Sequence, residues 1–275
     1  MRIVIFLILL FLSISIQAQT NKEWFPDKLN IQPFTPNLLE ARNGSMFAPG
    51  KDKLRLDIGV SKDFLQFKSE GQTISFGADL FTYTRLRSEG KFKFPVETID
   101  YFFGLNAGYK KKEGKVEFGA RFRVSHISAH LVDGKFNEES NRWIEGREPF
   151  VYSKEFVELF PYYKISSMRI YLGFTYIFHI VPNVINNGIY QTGFDYYLIS
   201  SGLKSFMPFI GLDFKLTGID GVYSGNTISK VGLKFGTNPS KGFSILLSYI
   251  SGKSIHGEFY DINENYLNFG FNLDL

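Results

Sequence analysis

No cysteine occurs anywhere in this chain. That excludes disulfide stapling, thiol catalysis, cysteine-bound zinc and a lipid-modified N-terminal cysteine. Beyond the N-terminus no run reaches the roughly 20 apolar residues of a membrane-spanning helix. The formal net charge is only +4 over 275 residues. It is too diffuse to point to a nucleic-acid partner, and no basic stripe carries stacking aromatics. Tryptophan is scarce, with 2 residues, whereas there are 30 phenylalanines, 15 tyrosines and 26 glycines. Many short runs rich in aromatics and glycine suggest an all-β barrel or sandwich.

Met1-Arg2, the apolar Ile3 to Leu12 and a small residue at Ala18 read as a secretory signal peptide over residues 1–18. Residues 19–50 are polar and broken by Pro26, Pro33, Pro36 and Pro49. They are expected to form a periplasmic lead-in or a partial plug. Residues 51–275 would then make the barrel.

From Lys53 onward the chain alternates with a period of two, which puts successive side chains on opposite faces of strands. Strands are expected near 53–68, 72–86, 98–110, 115–131, 153–165, 168–180, 190–201, 206–217, 228–237, 242–251 and 266–275. Ile170, Leu172, Phe174, Tyr176 and Phe178 oppose Arg169, Gly173 and Thr175, and Leu267, Phe269, Phe271 and Leu273 oppose Asn268, Gly270 and Asn272. One face is apolar and the other carries charge and glycine. A dry sandwich core does not tolerate such an inner face unpaired. Segments of roughly 9–11 residues or more suit a tilted bilayer crossing. The predicted fold is therefore all-β: a transmembrane antiparallel β-barrel in the outer membrane, surrounded by outer-membrane lipids. Its C-terminal strand ends in the pattern that barrel assembly machinery reads. In a bilayer the sheet must close. Eleven segments are visible, and even strand numbers are the rule, so about 12 strands are expected. The extra one would come from 53–68 or the segment before it. Short and long connections alternate, which places 87–97, 132–152, 181–189, 217–227 and 252–265 outside as loops.

The stretch RFRVSHISAH, Arg121 to His130, departs from this pattern. Its apolar parity, Phe122 and Val124, continues into His126, Ser128 and His130. The topology puts these near the outer end of a strand, facing lipid. The neighbouring strand brings Glu155 to the same face; pairing Leu131 with Tyr152 would set Ser128 opposite Glu155. A serine hydroxyl is a weak nucleophile and needs a base within hydrogen-bond reach. A carboxylate on the base's other nitrogen fixes its tautomer. The candidate catalytic set is Ser128 as nucleophile, His126 as base, Glu155 as orienter and His130 as alternate base. Asp133, Glu138, Glu139 and Asn141 are substitute orienters, and Arg142 and Arg147 could offset negative charge. His126 and His130 lie roughly 13 Å apart along a strand, too far to share a metal. His179 has lumen parity, which would keep it from His126.

His-x-Ser on a lipid-facing strand is similar to the arrangement in outer-membrane phospholipase A and in the lipid A 3-O-deacylases. Ala129 and His130 stand where those families usually place Asn and, in phospholipase A, Gly. The resemblance implies lipid-ester hydrolysis at the outer leaflet, with calcium the candidate cofactor if the activity is phospholipase-like. A longer resemblance covers most of the mature chain. SHISAHLVD (125–133), YSKEFVEL (152–159) and SGKSIHGEFY (251–260) resemble an uncharacterised bacterial family, domain of unknown function twelve-oh-seven. Its pattern reads His-x-Ser-Ser-His-Leu-Gly-Asp, from which Ala129 and Val132 depart. That resemblance implies a secreted outer-membrane barrel and no particular activity.

Two other readings stay open. A strand leaving the hydrocarbon turns polar in any barrel, so the outward cluster also suits a structural or surface-interaction protein. The inward set of Asp79, Arg85, Asp100, Glu117, Arg121, Arg123, Glu158, Asp195 and Asp213 suits either an ion-pair network or the charged filter of a small pore or transporter.

Overall fold

The computed structural model describes residues 21–199, 205–236 and 241–274; the expected signal peptide, residues 1–18, lies outside them. In chain order the strands are β1 (Asn21–Trp24), β2 (Asn43–Ala48), β3 (Lys53–Ser69), β4 (Gln72–Arg87), β5 (Val96–Glu113), β6 (Val116–Leu131), β7 (Phe136–Asn137), β8 (Arg142–Trp143), β9 (Tyr152–Ile165), β10 (Met168–Val181), β11 (Gly188–Tyr197), β12 (Phe206–Ile219), β13 (Val222–Phe235), β14 (Gly242–Lys253) and β15 (Asn263–Asp274). Each of β2 to β6 and β9 to β15 pairs antiparallel with its neighbours. The ring closes where β2 joins β15 on one side and β3 on the other. This is a closed 12-stranded barrel.

The twelfth strand is β2, from the segment ahead of residue 53. The wall thus begins at Asn43, eight residues before the expected boundary. Only six residues long, β2 is too short for periodicity to reveal.

The outward face is apolar along most of its height. Leu80, Leu105, Leu172, Phe174, Val231, Phe269 and Phe271 are among its exposed side chains. In water this would be an aggregation hazard; in a bilayer it is the required surface. Inside, many of the charges are paired. Arg123 lies 2.8 Å from Glu40 and 3.2 Å from Glu158, Arg85 lies 2.8 Å from Glu97, and Arg169 lies 2.6 Å from Asp195. Glu40 also takes both terminal nitrogens of Arg121.

Glu40 does not belong to the wall. Between β1 and β2 the chain turns into the lumen. Phe34 is fully buried against the rings of Phe160, Tyr162 and Tyr171. One terminal nitrogen of Arg42 donates to the carbonyls of Phe34, Thr35 and Asn37, holding this inner segment in a tight coil. Its prolines suit such a path, because they remove donors that no ladder would satisfy.

The expected outer loop 217–227 is instead a hairpin. β12 and β13 pair through Thr217–Ser224, Gly218–Tyr223 and Ile219–Val222. Asp220 (φ 49°) and Gly221 (φ 80°) form the two-residue turn. Consecutive positive φ values at Asp-Gly match the twist of a tight hairpin.

The outer mouth is capped by residues 254–262. Asp100 accepts hydrogen bonds from the ring of His256 and the backbone N–H of Gly257, both at 2.7 Å. A side chain at Gly257 would strike the Tyr152 ring. Phe259 is buried beneath the guanidinium of Arg85, 4.2 Å from its ring centre.

Candidate functional site

Strand register builds the site. On the outward face, directly opposed positions across four strands read Phe103 on β5, His126 on β6, Glu155 on β9 and His179 on β10. One step nearer the outside, the row reads Tyr101, Ser128, Ser153 and Val181. One step inward it is apolar: Leu105, Val124, Val157 and Tyr176. A polar patch of His, Glu and Ser therefore sits immediately above the hydrocarbon belt.

Glu155 is its centre. Its Oε1 lies 2.6 Å from Nδ1 of His126 and accepts a hydrogen bond from Ser153 Oγ at 2.8 Å. Its Oε2 meets Nδ1 of His179. A carboxylate only accepts, so both imidazoles donate from Nδ1, which leaves each Nε2 free as a base. The ring of His126 also stacks on Phe103, with centroids 6.3 Å apart and planes 29° apart, which restrains its orientation.

The structure brings together His126 and Glu155, as the sequence suggests, but with the register moved by two residues. Ala129, not Leu131, faces Tyr152, so Glu155 stands across from His126 and Ser128 across from Ser153. A shift of two keeps the same side chains on the same face. Ser128 shares the outward face with His126, two positions along β6. Its hydroxyl makes no hydrogen bond with another described residue, so the expected nucleophile–base contact is not formed. Catalytic contacts of this kind often close only around substrate. His130 is exposed and meets the edge of the Tyr101 ring at 5.8 Å; it does not reach Glu155. Arg147 is committed elsewhere, to both carboxylate oxygens of Asp261 at 2.9 Å and to the Glu258 carbonyl. Arg142 lies on the small β7–β8 hairpin of the outer loop.

His179 overturns the expectation from parity. A β-bulge lies between Ile177 and His179, where Ile177 faces Phe156 and the next paired residue, His179, faces Glu155. Phe178 is the extra residue. Ile177 is buried and Phe178 and His179 are both outward, so the strand changes face there. Two residues in succession on one face is what a bulge produces. Sequence reasoning also gave Ser153 no role, though it shares the parity of Glu155. Among the described residues, no group of three or more His, Cys, Asp or Glu side chains has the geometry of a metal site.

The fold resembles that of known outer-membrane barrels. The structure of outer membrane phospholipase A from Escherichia coli is similar at 11% identity, over 90% of this chain and 94% of that one, with a TM-score of 0.50. An active-site mutant of the same enzyme, determined at pH 6.1, gives 12% identity, the same coverage and a TM-score of 0.52. LpxR from Salmonella typhimurium is similar at 12% identity, over 81% of this chain and 88% of that one, with a TM-score of 0.35. At these identities the likeness is one of fold. No curated protein matches the chain. Residues 99–274, which carry β6, β9 and β10 and with them the whole outward cluster, match the family model described as protein of unknown function, DUF1207. The chain is an outer-membrane β-barrel and belongs to that family.

Proposed function

We propose that the outward cluster hydrolyses lipid esters at the outer leaflet. The observation that carries this reading is the 2.6 Å contact between His126 Nδ1 and Glu155 Oε1, on the lipid face, beside Ser128. Ser128 Oγ attacks the acyl carbonyl while His126 Nε2 takes its proton. Glu155 stabilises the imidazolium that forms, and His126 then protonates the departing alcohol oxygen. Water, deprotonated by the same nitrogen, releases the fatty acid and regenerates Ser128. Ser153 and His179 hold Glu155 from its two oxygens, so the carboxylate stays aimed at His126. The apolar row below, from Leu105 to Tyr176, would receive the acyl chain. A loosely held outward carboxylate at a water boundary needs no such partners, which favours this reading over an ordinary strand end.

The test is acyl release from phospholipid and from lipid A in detergent, with and without calcium, by the wild type and Ser128→Ala. The expected result is release by the wild type and none above background by the variant. Absence of release under every condition, or undiminished release by Ser128→Ala, refutes the proposal. A pore has less support, because many of the inner charges are bound to one another and to the inner segment. Planar-bilayer recordings are expected to show no conductance steps.

A further inference from the structure

A second feature lies apart from the cluster, in the wall at β2 and β3. β2 covers β3 only over Lys53 to Asp57, and β1 covers it only over Leu65 to Lys68. Between these, the edge of β3 from Ile58 to Phe64 has no strand beside it among the described residues. What reaches it is sparse. The Asn43 side chain bonds the N–H and C=O of Gly59, Lys62 reaches the Pro26 carbonyl, and the Phe25 N–H meets the Phe64 carbonyl. The chain that would fill the gap has turned into the lumen as the inner segment.

A cavity of about 370 Å³ opens at this notch, a size within the range of small-ligand sites. Its lining includes Ile58, Val60 and Leu273, which face outward among the lipid-exposed side chains. It also includes Arg169, Asp195 and Lys230, which are buried on the inner face. A cavity touching both faces of a wall passes through it. Hydrocarbon cannot satisfy a bare strand edge, so a polar group belongs there.

The charge of the lining says which kind. Among the described residues of the lining, four cations (Arg42, Lys164, Arg169 and Lys230) stand against two carboxylates (Asp195 and Asp274), a net of +2. Asp195 is taken by Arg169, and Asp274 by Lys234 and Asn272. Lys230 is 5% exposed and its ammonium makes one hydrogen bond, 3.1 Å from the Thr35 carbonyl. No carboxylate lies within ion-pair distance of it among the described residues. An ammonium has three donors, and a buried one with a single neutral acceptor has no ion-pair partner.

We infer that this notch is a lateral binding site for an anionic phospholipid, its phosphate drawn inward to Lys230 and its chains lying along Ile58, Val60 and Leu273. Leu273 stands at the end of β15 that the topology sets toward the periplasm, so the lipid would come from the periplasmic leaflet. The site is independent of the outward cluster, and neither proposal needs the other.

The full-length chain would be refolded into phosphatidylcholine nanodiscs containing a photo-crosslinking phosphatidylglycerol or, in parallel, a phosphatidylcholine with the same crosslinking chain. Labelled peptides are identified by mass spectrometry. The anionic probe is expected to label the peptides containing residues 58–61 and 272–274 about tenfold more than the zwitterionic one, the ratio of one charge-assisted contact. Lys230→Gln should erase the difference, Lys230→Arg should keep it, and millimolar inorganic phosphate should leave it intact. Folding of each variant is read from heat-modifiable gel migration. If Lys230→Gln does not fold, Ile58→Trp, which narrows the mouth from the lipid side, should lower labelling instead. Equal labelling by both probes overturns the inference, as does a folded Lys230→Gln or Ile58→Trp barrel that labels like the wild type. Displacement of the label by free phosphate would show a soluble-anion site and overturn it too.

Discussion

The two faces of β6 carry polar residues for different reasons. On the inner face Arg121 and Arg123 are buried, and their charges are met by Glu40, Glu158 and Asp79. On the outer face, His126 has one hydrogen-bond partner, the Ser128 hydroxyl has none among the described residues and the His130 ring meets the edge of Tyr101. The inner set is closed, with each charge answering another, and it fixes the inner segment to the wall. The outer set is left open toward lipid, with His126 Nε2 and the Ser128 hydroxyl making no hydrogen bond among the described residues. Closure is the mark of a structural network, and reactive capacity left unused suits a site awaiting a substrate. The lesson is that polarity alone did not separate the faces; partner accounting does.

The largest expected effect breaks the comparison on the outer side. Ser128→Ala or His126→Ala should lower acyl release by about 10⁴-fold or more while leaving the unfolding temperature on heat-modifiable gels unchanged. The inner counterpart is Glu40→Ala. It strands the buried Arg121 guanidinium and removes one of the carboxylates around Arg123, and should cost on the order of 3–5 kcal/mol of stability, read as earlier unfolding on the same gels. If Glu40→Ala spared stability and abolished acyl release, the division between the faces would be wrong. Glu155→Gln keeps an acceptor for His126 but removes the charge that stabilises imidazolium, so a loss of about 10²-fold in kcat is expected.

The outer cap sharpens the contrast from a third place. Burial pushes the Glu258 carboxyl up to about 7, against the backbone amides of Leu131 and Phe150 that favour its charge. Asp100 and Arg147 act on it from opposite sides, the first raising and the second lowering it. A carboxyl raised on folding stays protonated without penalty below the ordinary value near 4.5, and its cost grows as pH passes from there through 7. Amide exchange over residues 254–262 should therefore speed up by roughly tenfold beyond the intrinsic rate change between pH 5 and 8. Glu258→Gln should flatten that profile. The smallest effect belongs to His179→Ala. It removes one of the contacts that hold Glu155 and should lower kcat by about threefold with KM unchanged, the scale of a partly exposed pair.

Much of this was legible in the sequence. Eleven wall strands announce themselves because each has one face in lipid and one in a polar lumen, and a period of two survives any ambiguity of register. For the same reason Ser128, His126 and Glu155 could be placed on one face before their pairing was known, although the expected pairing was off by two residues. What stayed hidden lacks a period. The six residues of β2 are too few, and the inner segment is an irregular coil held by Arg42 and Glu40 rather than by a ladder. The Asp220-Gly221 turn did carry a signal, a dipeptide that accepts consecutive positive φ values. That signal competes with the alternation of short and long connections, which favours a long outer loop there. His179 could not be found by alternation, since the bulge breaks alternation at that point.

That bulge has a consequence for how the cluster can be lost. Above Ile177 the face of each side chain is set by counting, and Phe178 is the odd residue in the count. Replacing Phe178 with another side chain would leave the count intact. Removing it would erase the bulge and leave His179 directly after the inward Ile177, where ordinary alternation still sets it outward opposite Glu155. The cluster would instead be lost if Phe178 took a regular place in the ladder, which would turn His179 inward and Ile180 outward with every residue of the cluster unchanged, so its third member rests on Phe178 staying out of the ladder.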